Sequence, residues 1–170
     1  MILNGDGEFG LVGKRPSHGK LEAEPLWRDR LILVVPADHR WAGQPSVPLP
    51  ELLAEPFVLR EKGSGTRDIL AGYLKGHAGV ELAEFNAVAE LGSSEAIKEA
   101  VLAGLGVSIL SDRAVRRELD RGILRECTVA DWRIERTFYL IFRRSAAWLR
   151  HHRIFLNFVR KSASDDSTRP

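Results

Sequence analysis

Short apolar segments alternate along the chain with stretches in which apolar residues recur every three or four positions. The short segments predict β-strands and the recurring pattern predicts helices, a rhythm typical of an α/β protein. Leu31–Val35 is apolar at every position, as expected of a strand covered on both faces, and Pro36 ends it. The other predicted strands are Phe9–Val12, Phe57–Leu59, Glu81–Phe85, Val107–Leu110, Ile123–Glu126 and Thr137–Phe142.

Four helices are predicted from apolar residues that share one face. They are Arg67–Lys75, Ser94–Ala103, Asp112–Arg121 and Ala146–Lys161. A glycine follows each of the first three, as is common at the end of a helix. The proline-rich segment 42–56 predicts a connector with one helical turn at Glu51–Ala54. The polar tail, residues 162–170, is predicted to be disordered.

Composition narrows the class of protein. The chain has 170 residues, of which 44% are hydrophobic and 28% charged, as in ordinary globular domains. Disorder and a disulfide scaffold are thereby excluded, and the single cysteine, Cys127, is expected to be a buried thiol. No apolar run approaches the ~20 residues that a membrane span needs, and Met1–Gly7 does not resemble a secretory signal. We expect a soluble cytoplasmic protein without a membrane partner.

Charge is unevenly distributed. Residues 1–110 hold 11 basic and 15 acidic residues, whereas residues 111–161 hold 13 basic and 6 acidic ones. A basic stretch of this kind can contact nucleic acid, but the sequence contains no recognisable nucleic-acid-binding module. The favoured interpretation is therefore that these arginines lie on the solvent-facing sides of helices and strands.

Signatures of catalysis and of metal binding are missing from the sequence. It has no zinc-ligand spacing and no nucleophile motif such as G-x-S-x-G. His151 and His152 fall on or beside the apolar face of the last predicted helix, where packing is the favoured role over metal ligation. We therefore predict no catalytic residue, no metal site, no cofactor and no enzymatic activity.

Two turns rich in glycine and hydroxyl groups carry a signal for ligand binding. Gly63–Arg67 and Gly92–Ser94 each follow a predicted strand and open a helix, and helix N-termini attract carboxylates and oxyanions. Simple helix capping, worth about 1 kcal/mol, is the alternative for each turn taken alone. The candidate ligand-binding residues are Ser64, Gly65, Thr66, Arg67, Ser93 and Ser94, with the hydroxyls as donors and Arg67 as a counter-charge.

The occurrence of two such turns in one chain is more informative than either turn alone. In open α/β sheets the carboxyl ends of strands face one crevice, and ligands bind there. Three or four hydrogen bonds of about 1.5–3 kcal/mol, less an association cost of at least ~4 kcal/mol, give millimolar to micromolar affinity. This range suits a sensor of an abundant metabolite.

Four stretches together resemble the effector domain of LysR-type transcriptional regulators. Glu90–Ser111 looks like the family's helix, "aGlGv" turn and strand, and Gly63–Arg67 looks like its "gsGTr" loop. Glu8–Gly13 resembles its "lDlglvg" strand, and Pro25–Ala42 resembles its "pL..d.lvlv.p..Hpla" segment. In combination the four motifs are specific, and the resemblance extends over about residues 8–160.

The resemblance implies an α/β, periplasmic-binding-protein-like (type II) two-lobed fold with an effector cleft between the lobes. Residues 1–36 and 137–161 would form a partial lobe I, and residues 37–135 a complete lobe II. The family's N-terminal helix-turn-helix and the opening elements of lobe I have no counterpart in this sequence. The chain is therefore expected not to bind DNA directly, and its candidate residues form only the lobe II half of the pocket.

The leading functional hypothesis is an effector-sensing regulatory domain that binds a small anionic or carboxylate metabolite. A homodimer is expected, because a partial lobe leaves apolar surface and a sheet edge exposed. The alternative is a stand-alone cytoplasmic solute-binding protein of the same fold. An enzyme built on the same crevice is a third, weaker interpretation, since it needs a nucleophile and a base that the sequence does not offer.

Overall fold

The computed structural model describes residues 2–129 and 131–166. Within these residues the chain forms seven β-strands and five α-helices in a mixed order. The elements are β1 (Phe9–Val12), β2 (Leu21–Pro36), α1 (Leu49–Ala54), β3 (Phe57–Arg60), α2 (Gly65–His77), β4 (Ala87–Leu91), α3 (Ser94–Leu102), β5 (Ser108–Ser111), α4 (Asp112–Asp120), β6 (Leu124–Cys127), β7 (Ile134–Arg143) and α5 (Arg150–Asp166). None of the described helices has the length and hydrophobicity needed to span a membrane.

The contacts divide the chain into two compact units. Unit 1 consists of Met1–Asp29 and Arg136–Pro170, and unit 2 consists of Arg30–Glu135. The division falls within the long strands β2 and β7. The sequence instead placed the first change of lobe after residue 36, so the lobe boundaries stay a prediction.

Unit 2 is built around strands that run in both directions. β3 pairs in parallel with β4, and a parallel bridge from Phe57 to Val107 joins β3 to the segment that leads into β5. β5 and β6 each pair antiparallel with β2, in the registers Leu33↔Ile109 and Val35↔Arg125. The helices α2, α3 and α4 follow β3, β4 and β5 directly, which confirms the α/β class.

The apolar run on β2 separates two hydrophobic clusters in unit 2. Successive side chains of a strand point to opposite faces. Leu31 and Leu33 accordingly pack into a cluster with Trp41 and Phe57, and Ile32 packs into a second cluster around α3 and α4. The prediction that this strand is covered on both faces is confirmed.

A close backbone approach explains one glycine of the Gly-Leu-Gly turn after α3. A Cβ on Gly106 would overlap the Pro56 carbonyl oxygen and lie 2.8 Å from the carbonyl carbon. The neighbouring Val107 N–H donates to the same carbonyl at 2.8 Å, and this bond joins β3 to β5 at their starts. The strand pairing of unit 2 therefore requires glycine at position 106.

Unit 1 is smaller and relies on aromatic and ionic contacts. β1 pairs antiparallel with β7, in the register Leu11↔Leu140. α5 packs through buried Leu156 and Val159, and the ring of Phe155 stacks on Phe9 at a centroid distance of 4.8 Å. A second attachment of α5 is the ion pair from Arg160 to Glu24 of β2.

Three predicted elements differ clearly from the structure. The strand predicted at Leu31–Val35 begins ten residues earlier, at Leu21. The predicted strand Glu81–Phe85 is a short 3₁₀ turn, Leu82–Glu84, because the side chains of Glu81 and Glu84 cap each other's backbone N–H groups. Phe85 is buried against Phe57 as a packing residue, and the strand itself follows as β4. The strand predicted from the apolar pattern of residues 81–85 is therefore wrong, and the strand lies at residues 87–91.

The last helix also differs from its prediction. It begins at Arg150 instead of Ala146 and runs to Asp166, so the predicted disorder of the tail is wrong for residues 162–166. Ala163 is buried and continues the apolar stripe of the helix, and the Ser164 hydroxyl donates to the Lys161 carbonyl oxygen at 2.8 Å. The rest of the predicted tail, residues 167–170, lies outside the described residues.

Candidate ligand-binding site

The two hydroxyl-rich turns follow the same end of the two-stranded sheet formed by β3 and β4. β3 and β4 are parallel neighbours, and Arg60 at the end of β3 is in register with Leu91 at the end of β4. α2 then begins at Gly65 and α3 begins at Ser94. The N-termini of both helices are therefore presented at one corner, which we name the β3–β4 corner. It consists of residues 60–67 and 90–94.

Arg60 connects the two turns. Its Nη1 donates to the Ser94 Oγ at 3.1 Å, while its Nε and Nη2 donate to the two carboxylate oxygens of Glu61 at 2.8 and 2.9 Å. A bidentate pair of this type fixes the plane of the guanidinium. Arg60 is not among the candidate residues predicted from the sequence. The available signal was a charged Arg-Glu pair between an apolar strand and a glycine-rich turn.

Arg67 makes a second connection across the corner. Its Nη1 donates to the Arg60 carbonyl oxygen at 2.7 Å and to Glu90 Oε2 at 2.5 Å. The Lys62 backbone N–H donates to the other oxygen of Glu90 at 3.2 Å. The guanidinium that the sequence assigned to a ligand as counter-charge is thus held by a carboxylate of the chain itself.

The candidate hydroxyls have different surroundings. Ser93 is exposed, and its Oγ accepts from the Ala96 N–H at 3.1 Å, which is the capping role weighed as the alternative. Ser64 is the N-cap of α2 and is buried, and Thr66 is also buried. Gly65 is exposed, and a Cβ built on it would meet open space. Ser94 is half-buried under Arg60, so the corner holds both capping and non-capping hydroxyls.

The charges of the corner sum to a small positive value. Arg60, Lys62 and Arg67 face Glu61 and Glu90, an excess of one basic residue. The hydrogen bond from Arg60 lowers the pKa of Glu61, and the bond from Arg67 lowers the pKa of Glu90, so both carboxyls are ionised at neutral pH. The positive ends of α2 and α3 add to this excess, and the corner is electrostatically suited to an anion.

A third helix N-terminus in unit 2, that of α4, is occupied by a carboxylate of the chain itself. α4 begins at Asp112, directly after β5. The Asp112 carboxylate is held by Arg116 at 2.9 Å and by Arg30 at 3.3 Å. Here the chain supplies its own carboxylate to the helix start.

A cavity of about 380 Å³ is found elsewhere in unit 2. It is bordered by β2, β5 and β6 and by residues 128–129 and 132–135, and none of the six candidate residues lines it. Its charged walls include Arg30 and Glu126, which already pair with each other at 3.4 Å. The convergent donors that select a ligand class lie at the β3–β4 corner and not in this cavity.

Cys127 is a packing residue, as predicted. It is a free, buried thiol whose sulfur donates to the Trp41 carbonyl oxygen at 3.5 Å. Burial, with a smaller contribution from the charge of Glu126, raises its pKa to about 11. A thiol of this kind is a poor nucleophile at neutral pH.

Comparison with known proteins identifies the family. Residues 1–164 match the LysR substrate binding domain family. The chain is 39% identical over 144 residues to the uncharacterized HTH-type transcriptional regulator YeiE of Escherichia coli K12, covering 84% of this chain and 47% of that protein. It is 31% identical over 144 residues to the RuBisCO operon transcriptional regulator of Allochromatium vinosum, covering 85% and 46%.

Solved structures agree with this assignment. The regulatory domain of CcmR from Synechocystis PCC6803, solved in complex with 2-PG, superposes with a TM-score of 0.83 at 28% identity, covering 96% of this chain and 77% of that one. The effector binding domain of QuiR in complex with shikimate superposes with a TM-score of 0.79 at 15% identity, covering 96% and 75%, and shows the fold alone.

The fold is therefore the type II periplasmic-binding-protein-like fold of LysR regulatory domains. This chain spans about half the length of the curated relatives that it matches. Proteins of this family are transcriptional regulators whose regulatory domains bind small-molecule effectors and form oligomers. The sequence match, the relatives and the shared fold agree, and the chain belongs to the LysR substrate-binding domain family.

Proposed function

We propose that this chain senses a small anionic metabolite, a carboxylate or an organic phosphate, for a LysR-type transcriptional regulator, and that the β3–β4 corner contributes to the binding site. The observation that carries the proposal is the guanidinium of Arg60, which links Ser94 at the start of α3 to Glu61 in the turn before α2. Two helix N-termini and an excess of one positive charge thereby meet at one edge.

The donors of the corner suit an oxyanion. The first N–H groups of a helix have no partner within the helix, and at α2 these include the N–H groups of Gly65 and Arg67. The hydroxyls of Ser64 and Ser94 add donors that can rotate toward a ligand. Three or four charge-assisted hydrogen bonds of about 1.5–3 kcal/mol each, less the cost of association, give micromolar to millimolar affinity.

A related domain supports this ligand class. The CcmR regulatory domain, which is 28% identical to this chain, was solved in complex with 2-PG. In the corner, Ser93 would act mainly as a helix cap and Arg67 mainly as the partner of Glu90. Ser64, Gly65, Thr66 and Ser94 would then make the direct contacts to the ligand.

The remaining parts of the functional hypothesis are also proposals. The chain is expected to act without catalysis, to form a homodimer and to reach DNA only through another part of a regulator. It is expected in the cytoplasm, where the chromosome lies, with no membrane partner. Exposed apolar side chains in unit 1, such as Ile154 and Phe158, favour a dimer, and sedimentation of the chain tests its assembly directly.

The ligand class is tested by thermal unfolding of the chain in the presence of 2-PG, shikimate and a series of small dicarboxylates. A ligand at one hundred times its Kd stabilises the folded state by about 2.7 kcal/mol. For a domain of this size that corresponds to a rise in Tm of about 5 °C or more. If no acid raises the Tm of the folded chain, the proposed ligand class is wrong.

The location of the site is tested with Ser94→Ala. Loss of one donor to a charged ligand is expected to weaken binding about tenfold or more, measured by calorimetry with the acid that raises the Tm. Ser145→Ala, which removes an exposed hydroxyl from unit 1, is the matched control and should bind as the unmodified chain does. Equal affinities for all three proteins would remove the β3–β4 corner from the site and leave the ligand class intact.

A further inference from the structure

Two histidines and a glutamate meet in unit 1, whereas the β3–β4 corner belongs to unit 2. Glu8 precedes β1, and His151 and His152 lie in the first turn of α5. One ligand atom from each of the three side chains lies within 4.8 Å of the other two. The set of two imidazoles and a carboxylate is one that first-row transition metals bind in proteins.

His152 is the fixed member of this cluster. Its side chain is buried, and its Nδ1 accepts from the Leu149 N–H at 3.2 Å. Phe9 and Trp148 both meet the imidazole edge-on at centroid distances of 6.0 Å. The Nε2 atom is thereby directed at the Glu8 carboxylate, with which it is in contact.

Glu8 and His151 are the adjustable members. Both are exposed, and the ring of His151 lies 3.9 Å from that of His152, centroid to centroid. Around a tetrahedral zinc ion, ligand atoms about 2.0–2.1 Å from the metal are about 3.4 Å from each other. Rotations of two exposed side chains toward a fixed third one can close this difference.

We propose that Glu8, His151 and His152 form a binding site for a divalent transition-metal ion such as Zn²⁺. The three side chains supply three ligands, and water takes the remaining position. Mg²⁺ and Ca²⁺ are excluded by chemistry, because they require mostly oxygen ligands. A bound ion would join the start of β1 to the start of α5 within unit 1.

Two features oppose the ion and limit its affinity. Coordination through Nε2 requires the proton of neutral His152 to reside on Nδ1, so the Leu149 N–H loses its acceptor. Nδ1–H and the Leu149 N–H are then two donors facing each other, so the imidazole or the Leu149 backbone has to shift until each donor reaches an acceptor. The positive end of the α5 dipole and the adjacent Arg150 and Arg153 also repel a cation, while the charge of Glu8 offsets part of this repulsion.

The experiment is isothermal titration of the chain with ZnCl₂ and, separately, with NiCl₂ and MgCl₂. We expect one Zn²⁺ or Ni²⁺ per chain and no heat from Mg²⁺. His151→Ala and Glu8→Gln each remove one exposed ligand, and each should weaken Zn²⁺ binding at least tenfold, since even partners outside the metal's own ligands contribute 10–100-fold.

His77→Ala is the matched control, because it removes an exposed histidine from unit 2. Circular dichroism establishes that each variant is folded before titration. The proposal is overturned if Zn²⁺ does not bind the unmodified chain. It is also overturned if His77→Ala weakens binding as much as His151→Ala does, or if the two ligand variants keep full affinity.

Discussion

The two units of this molecule keep their structure by different means. In unit 2, two hydrophobic clusters on either face of β2 enclose side chains such as Trp41, Phe57 and Leu124, each at most 1% exposed. In unit 1, the ion pair between Asp29 and Arg136 is buried. Among the described residues, six of nine exposed large apolar side chains belong to unit 1: Leu3, Leu11, Leu149, Ile154, Phe155 and Phe158.

This difference determines which substitutions in each unit lower the stability of the fold. Unit 2 covers its own apolar surface, so removal of a core side chain leaves a cavity with little room to collapse. Unit 1 leaves apolar surface in contact with water, and such surface commonly marks a place where another molecule or segment packs. The same kind of substitution should therefore change the free energy of unfolding by very different amounts in the two units.

The largest effect is expected for Phe57→Ala in unit 2. Phe57 is 1% exposed and packs edge-on against Phe85, so its removal should lower the free energy of unfolding by about 3–5 kcal/mol. Phe158→Ala is the comparison in unit 1, where the ring is 70% exposed, and it should change stability by less than about 0.5 kcal/mol. Urea denaturation of both variants measures the difference, and equal losses would contradict the contrast between the units.

The second-largest effect on stability is expected from the buried ion pair between Asp29 and Arg136 within unit 1. Asp29 is buried and accepts from Arg136 Nε at 2.6 Å, so Asp29→Ala leaves a buried guanidinium without its main counter-charge. We expect a loss of about 3 kcal/mol in urea denaturation. Glu24→Gln, in the exposed pair with Arg160, should cost less than about 1 kcal/mol. A small loss for Asp29→Ala would show that unit 1 does not depend on this pair.

The smallest expected effect is the dependence of folding stability on pH that Glu90 of unit 2 contributes. The pKa of Glu90 lies below its ordinary value of 4.5 because Arg67 hydrogen-bonds the ionised carboxylate. A lowered pKa in the folded state gives stability that is present at neutral pH and is lost as the pH falls through that value. The stability curves of the unmodified chain and Glu90→Gln should therefore converge as the pH falls below about 5. Curves that stay parallel would show that Arg67 does not favour the ionised form.

Much of unit 2 was predictable from local sequence. The apolar run of β2 reflects burial of that strand on both faces. The glycine after α3, Gly104, reflects a backbone position with a positive φ of 75°. The family motifs added the fold, because they preserve the order of these elements. The class, the helices of unit 2 and the position of both hydroxyl-rich turns after strands could be predicted in this way.

Features that depend on distant residues were not predictable. The partner of Arg67 is Glu90, 23 positions away, and the partner of Arg60 is Ser94, 34 positions away. Both pairs follow from the parallel register of β3 and β4, which no local pattern specifies. Likewise, Glu8 and His152 meet only because β1 and α5 pack together, so the sequence favoured packing as the histidine's role and gave no sign of a third ligand.

The guanidinium of Arg60 has a consequence for the entropy cost of recognition. Because Glu61 holds two of its three nitrogens, this long side chain already has one fixed orientation in the free protein. The rotational freedom that a flexible arginine gives up on binding was lost when the chain folded. An arriving molecule therefore meets a Ser94 hydroxyl whose oxygen is already held in place by Arg60, and whether the molecule stays depends on how well its own shape fits that hydroxyl.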